Sequence, residues 1–409
     1  MANDRTTCLV VGGGPAGLVL ALLLSRAGVD VMVLEKHADF LRDFRGDTVH
    51  PSTLQLLDEL GLGQEFTTLS ASRVEEVAFP VDGGRPVVLA DFRRLHVAHP
   101  YVAMVPQWDL LDLLARSAAE EPSFRLRMNT EVTELVPASG PVTGARFRTK
   151  DGTEGIVHAD LTVACDGRWS VAHGRPGLVL KEFPTPIDVW WFRLPGTAQD
   201  DPSALTPRAG DGRFALVIPR PGYLQIAYVA RKGLDGYLRR RGVESFRREV
   251  AELMPEMRDR VHAIGSMDDV KHLDVRVNRL RRWHTAGLLC IGDAAHAMSP
   301  VGGVGINLAV QDAVAAATLL AQPLRREQVG TADLAKVRRR RLWPTVLVQT
   351  MQRLAHRELV LPILDTRRAG PPSVAVSVLR RFPALTGITA RVIGVGPRPE
   401  HAPPFARRP

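Results

Sequence analysis

The first 35 residues constrain the fold more than any other stretch of the chain. An apolar, β-rich run at residues 7–11 (TCLVV) leads directly into GGGPAG at residues 12–17. Residues 15–27 are Leu- and Ala-rich, helical in character, and stop at Gly28, a suitable helix C-cap. A second short strand over residues 31–34 ends at Glu35. Strand, G-x-G-x-x-G, helix, strand and acid in that order match the dinucleotide-binding fingerprint. Gly12 permits the tight turn, Gly14 lets a pyrophosphate approach the backbone, and Gly17 allows close helix–strand contact. Pro15 and Ala16 open the helix, whose free N–H groups make an anion site. Glu35, followed by Lys36, is placed to bind ribose hydroxyls, and an acid there disfavours a 2′-phosphate. FAD or NAD is therefore the expected ligand.

A second stretch, GDAAHAMSPVGGVGINLAVQD at residues 292–312, repeats the logic near the other end of the chain. The apolar run 288–291 reads as a buried strand ending at Gly292, with Asp293 at its tip. The Pro/Gly-rich loop 300–305 then opens a helix near Ile306. The acid can accept hydrogen bonds from cofactor hydroxyls, and the helix start offers unpaired N–H groups with partial positive charge. Between the two, an apolar strand at residues 161–165 ends in Asp166–Gly167, once more an acid at a strand end.

The intervening segments suggest how the chain is divided. Pro51 with residues 52–60 reads as a helix closed by Gly61, after a polar stretch with Arg42 and Arg45. Residues 74–99 alternate apolar and polar around a DGG turn, as a β-hairpin does. Residues 107–119, beginning at Gln107, form an amphipathic helix. Runs at 124–128, 130–135, 145–149 and 156–164 read as a β-meander. After residue 176 come short strands at 189–194, 214–218 and 223–229, with helices at 243–253 and 257–264. This is the pattern of a mostly antiparallel sheet inserted into the nucleotide-binding fold, with aromatics such as Trp190 and Trp191 concentrated in it. A long helix over 332–359, bent or interrupted at Pro344, a short helix at 374–381 and a loose last ten residues complete the expectation. The implied division is residues 1–73, 100–175 and 278–330 for the cofactor domain. Residues 74–99 and 176–277 form the inserted domain, and residues 331–409 a helical C-terminal region.

Composition removes several function classes. A length of 409 residues, 45% hydrophobic and 24% charged, is ordinary for a globular protein. The net charge of +9 comes from 53 basic residues, nearly all arginine and scattered along the chain. Nucleic-acid binding needs a basic stripe interleaved with stacking aromatics, and aromatics are only 6% here. Clusters such as 239–241 and 338–341 are instead read as solvated helix faces. Cys8, Cys165 and Cys290 have no metal-like spacing and read as small buried hydrophobes of a reducing compartment. With neither a signal peptide nor a membrane span in view, a cytoplasmic location is expected; the oligomeric state is left open.

Taken together, GGGPAG, CDGRWS at residues 165–170 and GDAAHAMSPVGGVGIN at residues 292–307 resemble the group A FAD-dependent monooxygenases, the aromatic hydroxylases of the para-hydroxybenzoate hydroxylase fold. The resemblance implies a Rossmann-like α/β FAD domain, a parallel sheet plus β-meander, carrying the inserted sheet domain. It implies non-covalent FAD with NADPH or NADH as cosubstrate, O2, and a small aromatic or quinone-like substrate. Oxygen would pass from a flavin C(4a)-hydroperoxide to the ring, in secondary metabolism or aromatic degradation. It assigns Gly12, Gly14, Gly17 and Glu35 to the ADP half. Arg45 and Gln107 fall at further cofactor contacts, and Asp293 at the ribityl chain. Pro300, Gly303, Gly305, Ile306 and Asn307 lie along the pyrimidine edge of the ring. His296 is read as structural. The family arginine that binds NAD(P)H, seven residues after Asp166, is His173 here, so Arg168 and Arg175 become the candidates for that task. A reductase or dehydrogenase of the same fold, inserting no oxygen, is the alternative. A flavin halogenase would need a Trp-x-Trp-x-Ile-Pro segment, which VWWFRLP does not match.

Overall fold

The computed structural model describes residues 2–41, 48–69, 72–79, 86–197, 200, 205–210, 212–220, 222–365 and 373–408. Its first layer is a parallel sheet in the order Leu288–Cys290, Glu154–Ala164, Ala2–Val11, Val31–Leu34 and Phe124–Arg127. Val31–Leu34, Leu288–Cys290 and the ends of the two long strands, Cys8–Val11 and Leu161–Ala164, are buried and mostly apolar because both faces are covered there. The helices Pro15–Arg26, Gln107–Ala119 and Gly305–Arg325 pack into the same core. Cys8 and Cys290 are wholly buried in it, and burial pushes the Cys8 thiol up to about 12, so it stays protonated.

The meander is shorter than the sequence suggests. Phe124–Arg127 pairs parallel with Val31–Leu34, as the outer strand of the main sheet. Only Thr130–Val136, Gly144–Thr149 and Glu154–Ala164 form the antiparallel run. Alternation alone cannot separate these cases, because pairing direction is set by the helix Gln107–Ala119 that carries the chain back across the sheet.

The second layer is a five-stranded antiparallel sheet built on Ile187–Pro195, Arg213–Arg220 and Tyr223–Arg231, with Thr206–Gly210 and Lys271–Leu273 at its edges. Its two faces have different neighbours. Trp190, Phe192, Ala215, Ile226 and Tyr228 point to the helix Asp235–Leu253 and form a closed core with Phe246 and Val250. Val189, Trp191, Phe214, Leu216, Ala227 and Val229 point the other way, toward Val301 of the glycine loop. The hairpin of Glu76–Phe79 with Val87–Asp91 borders this side and ends earlier than residue 99, in a single turn at Phe92–Arg94. Its DGG turn lies outside the described residues.

Three further expectations are corrected. Residues 257–264 hold only isolated 3-10 turns. The helix Thr331–Ala355 runs through Pro344 without interruption, and the irregularity comes later, as the π-helical turn His356–Val360. Residues 400–408 are docked, not loose. Glu59 accepts from Ala402 N (2.6 Å) and from His401 Nδ1 (2.7 Å), and Arg26 Nη1 donates to Ala406 O (2.9 Å). Buried Glu400 is forked by Arg340 Nε at 2.9 and 3.0 Å.

Candidate active site

The three motifs meet because their strands are neighbours in one register. Val11 lies opposite Ala164, and Ala164 opposite Cys290, so Gly12, Cys165–Asp166 and Ile291–Asp293 emerge side by side. Backbone bonds lock the row: Gly12 N to Leu34 O, Cys165 N to Val11 O and Ile291 N to Ala164 O, at 2.8, 2.8 and 3.1 Å. Carboxyl ends of adjacent parallel strands are where open α/β sheets bind ligands.

Close packing explains the glycines. A Cβ on Gly17 would lie 2.0 Å from Gly12 O, and one on Gly12, whose φ is +99°, would lie 2.8 Å from Cys165 O. A Cβ on Gly292 would meet Ala309 Cβ at 3.2 Å and Ala16 Cβ at 3.3 Å. The helix after Pro15 and the helix after Gly305 are thus pressed together at the same point. Beside Gly14, by contrast, a Cβ would meet nothing within 4 Å. Glu35 is buried, with Oε2 accepting from Gly13 N at 2.8 Å and Oε1 from His37 N at 3.0 Å. Lys36 next to it is exposed.

Asp293 sits on the turn Gly292–Ala294 with its carboxylate one-third exposed, 3.6 Å from Arg168 Nη2. Arg168 also donates to Asp274 O (2.9 Å), tying the turn to the inserted domain. Arg175 instead donates to Pro137 O, Ala138 O and Gly140 O, at 2.9, 3.1 and 2.6 Å, which gives it a turn-bracing task away from Asp293. His173 reaches the same turn as Asp293 through Nε2, bonded to Ala294 O at 2.9 Å. Asp166 accepts from Val171 N at 2.8 Å through Oδ2, while Oδ1 is buried with no hydrogen-bond partner among the described residues. Burial lifts its pKa above the usual carboxylate range. Gln107 is half-buried at the first turn of its helix. Arg42 and Arg45 lie outside the described residues.

The loop 300–305 is held from two sides by residues the sequence reading did not single out. On one side Thr48 Oγ1 and His50 Nε2 both donate to Gly303 O, at 2.9 and 3.0 Å. Ser52 and Thr53 donate to Asn307 Oδ1 at 2.7 and 3.0 Å. On the other side Gln352 Nε2 donates to Ser299 O and Val301 O (2.8 and 3.0 Å), and His356 Nε2 bonds Ser299 Oγ at 2.8 Å. Gln349 Nε2 spans Asn278 O and Ala297 O, at 2.7 and 3.0 Å. Gln349, Gln352 and His356 recur at helical spacing on one face; that polar stripe was the available signal. Pro300, Gly305 and Ile306 stay half-buried along the loop and helix start.

Behind the loop lies a buried ionic chain. Asp312 Oδ2 accepts from Gly292 N (3.2 Å) and His296 Nε2 (2.5 Å), and its Oδ1 accepts from Arg341 Nε (3.0 Å). Arg341, wholly buried, donates onward to Gln311 Oε1, Arg398 O and Glu400 Oε1, at 3.1, 3.0 and 3.3 Å. Burial raises the Asp312 pKa, but His296 and Arg341 outweigh it and hold the group below its ordinary value. The reading of 338–341 as a solvated face therefore fails at Arg341. His296 packs against Trp283, ring centroids 4.9 Å apart, in keeping with a structural role.

A family model described as "FAD binding domain" matches residues 5–349. Along 394 residues, 95% of this chain and 92% of the other, the sequence is 34% identical to 6-methylpretetramide 4-monooxygenase from Streptomyces rimosus. The chain belongs to the FAD-dependent monooxygenases. A second relative of this monooxygenase, the 12-dehydrotetracycline 5-monooxygenase/anhydrotetracycline 6-monooxygenase of Streptomyces rimosus subsp. rimosus, is 31% identical over 336 residues. That alignment takes in 76% of this chain and 61% of the relative. Among solved structures, OxyS anhydrotetracycline hydroxylase from Streptomyces rimosus superposes with a TM-score of 0.74 at 24% identity, covering 95% of this chain and 76% of that one. PqsL of P. aeruginosa in complex with 2-aminobenzoylacetate gives 0.73 at 20% identity, covering 92% and 100%. At these identities the superpositions speak to the fold. The seat fits FAD on its own terms: open space beside Gly14 at a helix start suits a pyrophosphate, and the unpartnered Asp166 Oδ1 can accept from a hydroxyl.

Proposed function

We propose that this monooxygenase uses NADPH or NADH and O2 to hydroxylate a flat, polycyclic aromatic or quinone-like compound. The observation that carries the reading is the half-buried apolar patch of Trp191, Phe214 and Leu216 in the cluster of Val301 of the glycine loop, whose fully buried members include Val189, Ala227, Val229, Val360 and Leu364. Such a wall accepts a wide ring system without demanding charge. The relatives named for pretetramide and anhydrotetracycline chemistry support the same size and class. Bound FAD supplies the redox chemistry, taking two electrons and activating O2. The residues of the chain bind, orient and keep water out.

In this reading Gly12, Gly14, Pro15, Ala16, Gly17, Glu35 and Lys36 hold the ADP half, with Arg45, Gln107 and Asp166 along the cofactor. Asp293 accepts from the ribityl chain. Pro300, Gly303, Gly305, Ile306 and Asn307 lie beside the ring, where N–H groups at the helix start favour negative charge on it. Arg168, beside Asp293, is the better placed of the two candidates for NAD(P)H. Trp191 faces the substrate, with its indole N–H, buried and unpartnered among the described residues, available to a substrate oxygen. The test is substrate-stimulated NAD(P)H oxidation under 18O2. One labelled oxygen in the product supports hydroxylation. Turnover under strict anaerobiosis without incorporation would establish the reductase alternative instead. Asp293→Ala should emerge with markedly less bound FAD, and full occupancy would remove Asp293 from its assigned place.

A further inference from the structure

The helices Ser373–Arg381 and Leu385–Gly394 pack inward and leave an apolar row outside. The inner side is well seated: Ala390 and Val395 are buried against Phe92, Met104 and Ile218. Ile393 touches both that cluster and the one containing Val304 of the glycine loop. The outer side carries Val374, Val378, Phe382, Leu385 and Ile388, with Val374 73%, Phe382 57% and Ile388 61% exposed. Within each helix the exposed apolar residues recur at helical spacing, Val374 and Val378 in the first and Leu385 and Ile388 in the second, with Phe382 in the connection between them. Charge is just as one-sided. Residues 373–399 include Arg380, Arg381, Arg391 and Arg398 and no acidic residue. The Arg381 guanidinium lies 5.9 Å from the Phe382 ring centroid, at the centre of the row.

We propose that this face docks on an anionic phospholipid surface, with the helices lying in the interface plane. An apolar row with phenylalanine at its middle and arginines at its rims is the pattern of an interfacial helix. Five exposed side chains are far fewer than the roughly 20–30 residues a side of a standard protein interface. A headgroup boundary accepts so narrow a row, and the arginines match its negative potential. No helix among the described residues is long and apolar enough to cross a membrane, so attachment is peripheral. The location has a use that rests on the proposed substrate class: an apolar polycycle partitions into lipid, and Ile393 of the second helix packs on the cluster that contains Val304 of the glycine loop.

The test needs no substrate, so its failure is separable from failure of the proposed reaction. The FAD-loaded protein is sedimented with vesicles of phosphatidylcholine alone and with 30 mol% phosphatidylglycerol. Binding is expected only to the anionic vesicles, with release at 0.5 M NaCl, where the Debye length is well under 10 Å. Phe382→Asp with Ile388→Asp should lower the partition coefficient at least tenfold while flavin absorbance is unchanged; Ile388→Ser alone, milder for the fold, should lower it severalfold. No binding by the wild type, equal binding to neutral vesicles, or undiminished binding by both variants would overturn the proposal. So would a wild-type dimer that the same substitutions convert to monomer, since the row would then belong to a second copy.

Discussion

Replacing Arg341 with leucine should be among the most damaging single changes outside the cofactor contacts. The guanidinium is wholly buried and faces two buried carboxylates, Asp312 and Glu400. Removing one partner of a buried pair costs about 3–5 kcal/mol, because the other charge is left uncompensated. Unfolding entropy of roughly 2.1 cal/mol/K per residue gives about 0.9 kcal/mol/K for 409 residues, so Tm should fall by about 4–6 °C. The neighbour supplies the control. Arg340 also bonds Glu400, but its side chain is 30% exposed, and losing a solvent-screened pair costs about 1 kcal/mol or less. Arg340→Leu should therefore shift Tm by only about 1 °C. Without Arg341, one of the two groups that offset burial at Asp312 is lost, so its pKa rises and its hold on Gly292 N weakens. FAD titrations followed by flavin fluorescence should then show at least tenfold weaker binding for Arg341→Leu and little change for Arg340→Leu. Equal Tm values and equal affinities in the two variants would refute the argument that this chain of charges supports the cofactor seat.

Three further outcomes are expected. Gly17→Ala places a Cβ 2.0 Å from Gly12 O, so the glycine turn must shift and the purified protein should be nearly colourless; a normal flavin spectrum would contradict this. Burial holds His50 and His356 down to about 4. The unfolded chain takes up protons as pH falls from 6.5 toward 4 while the folded one does not. Stability is therefore complete above about pH 6.5 and is lost below it, by about 3 kcal/mol per histidine at pH 4. Tm against pH should fall less steeply for His356→Asn than for wild type, and parallel curves would count against it. Finally, Trp191→Ala should raise substrate KM at least tenfold while FAD affinity holds, as stopped-flow and titration would show; unchanged KM would move the substrate off that face.

Legibility in the sequence followed the distance over which each interaction acts. The turns at Gly12, Asp166 and Asp293 are local devices, and each shows as a short pattern at a strand end. That they converge was inferable from parallel-sheet rules. The second support of the glycine loop was not, because Thr48 and His50 act on Gly303 across 255 and 253 positions. Their side chains carry no local pattern that names a partner. Arg341 was misread for the same reason: inside an RRRR run only tertiary packing decides which arginine turns inward. The tail was misjudged because Pro and Arg suggest looseness, whereas Glu400 and Ala402 find partners on Arg340 and Glu59.

The order of the sheet also fixes an order in time. The strand Ala2–Val11 pairs on one side with Val31–Leu34, yet its other neighbour, Glu154–Ala164, is more than 140 residues later, and Leu288–Cys290 later still. During synthesis at about 5–20 residues per second, the first glycine turn waits roughly 15–55 s for Asp293 to leave the ribosome. Arg341 and Glu400 follow after that. A nascent chain can therefore fold its first helix early but cannot close the cofactor seat until Asp293, Arg341 and Glu400 have all emerged. Flavin capture should follow the emergence of those residues, and a chain stalled before residue 154 should present the edge of its central strand to chaperones.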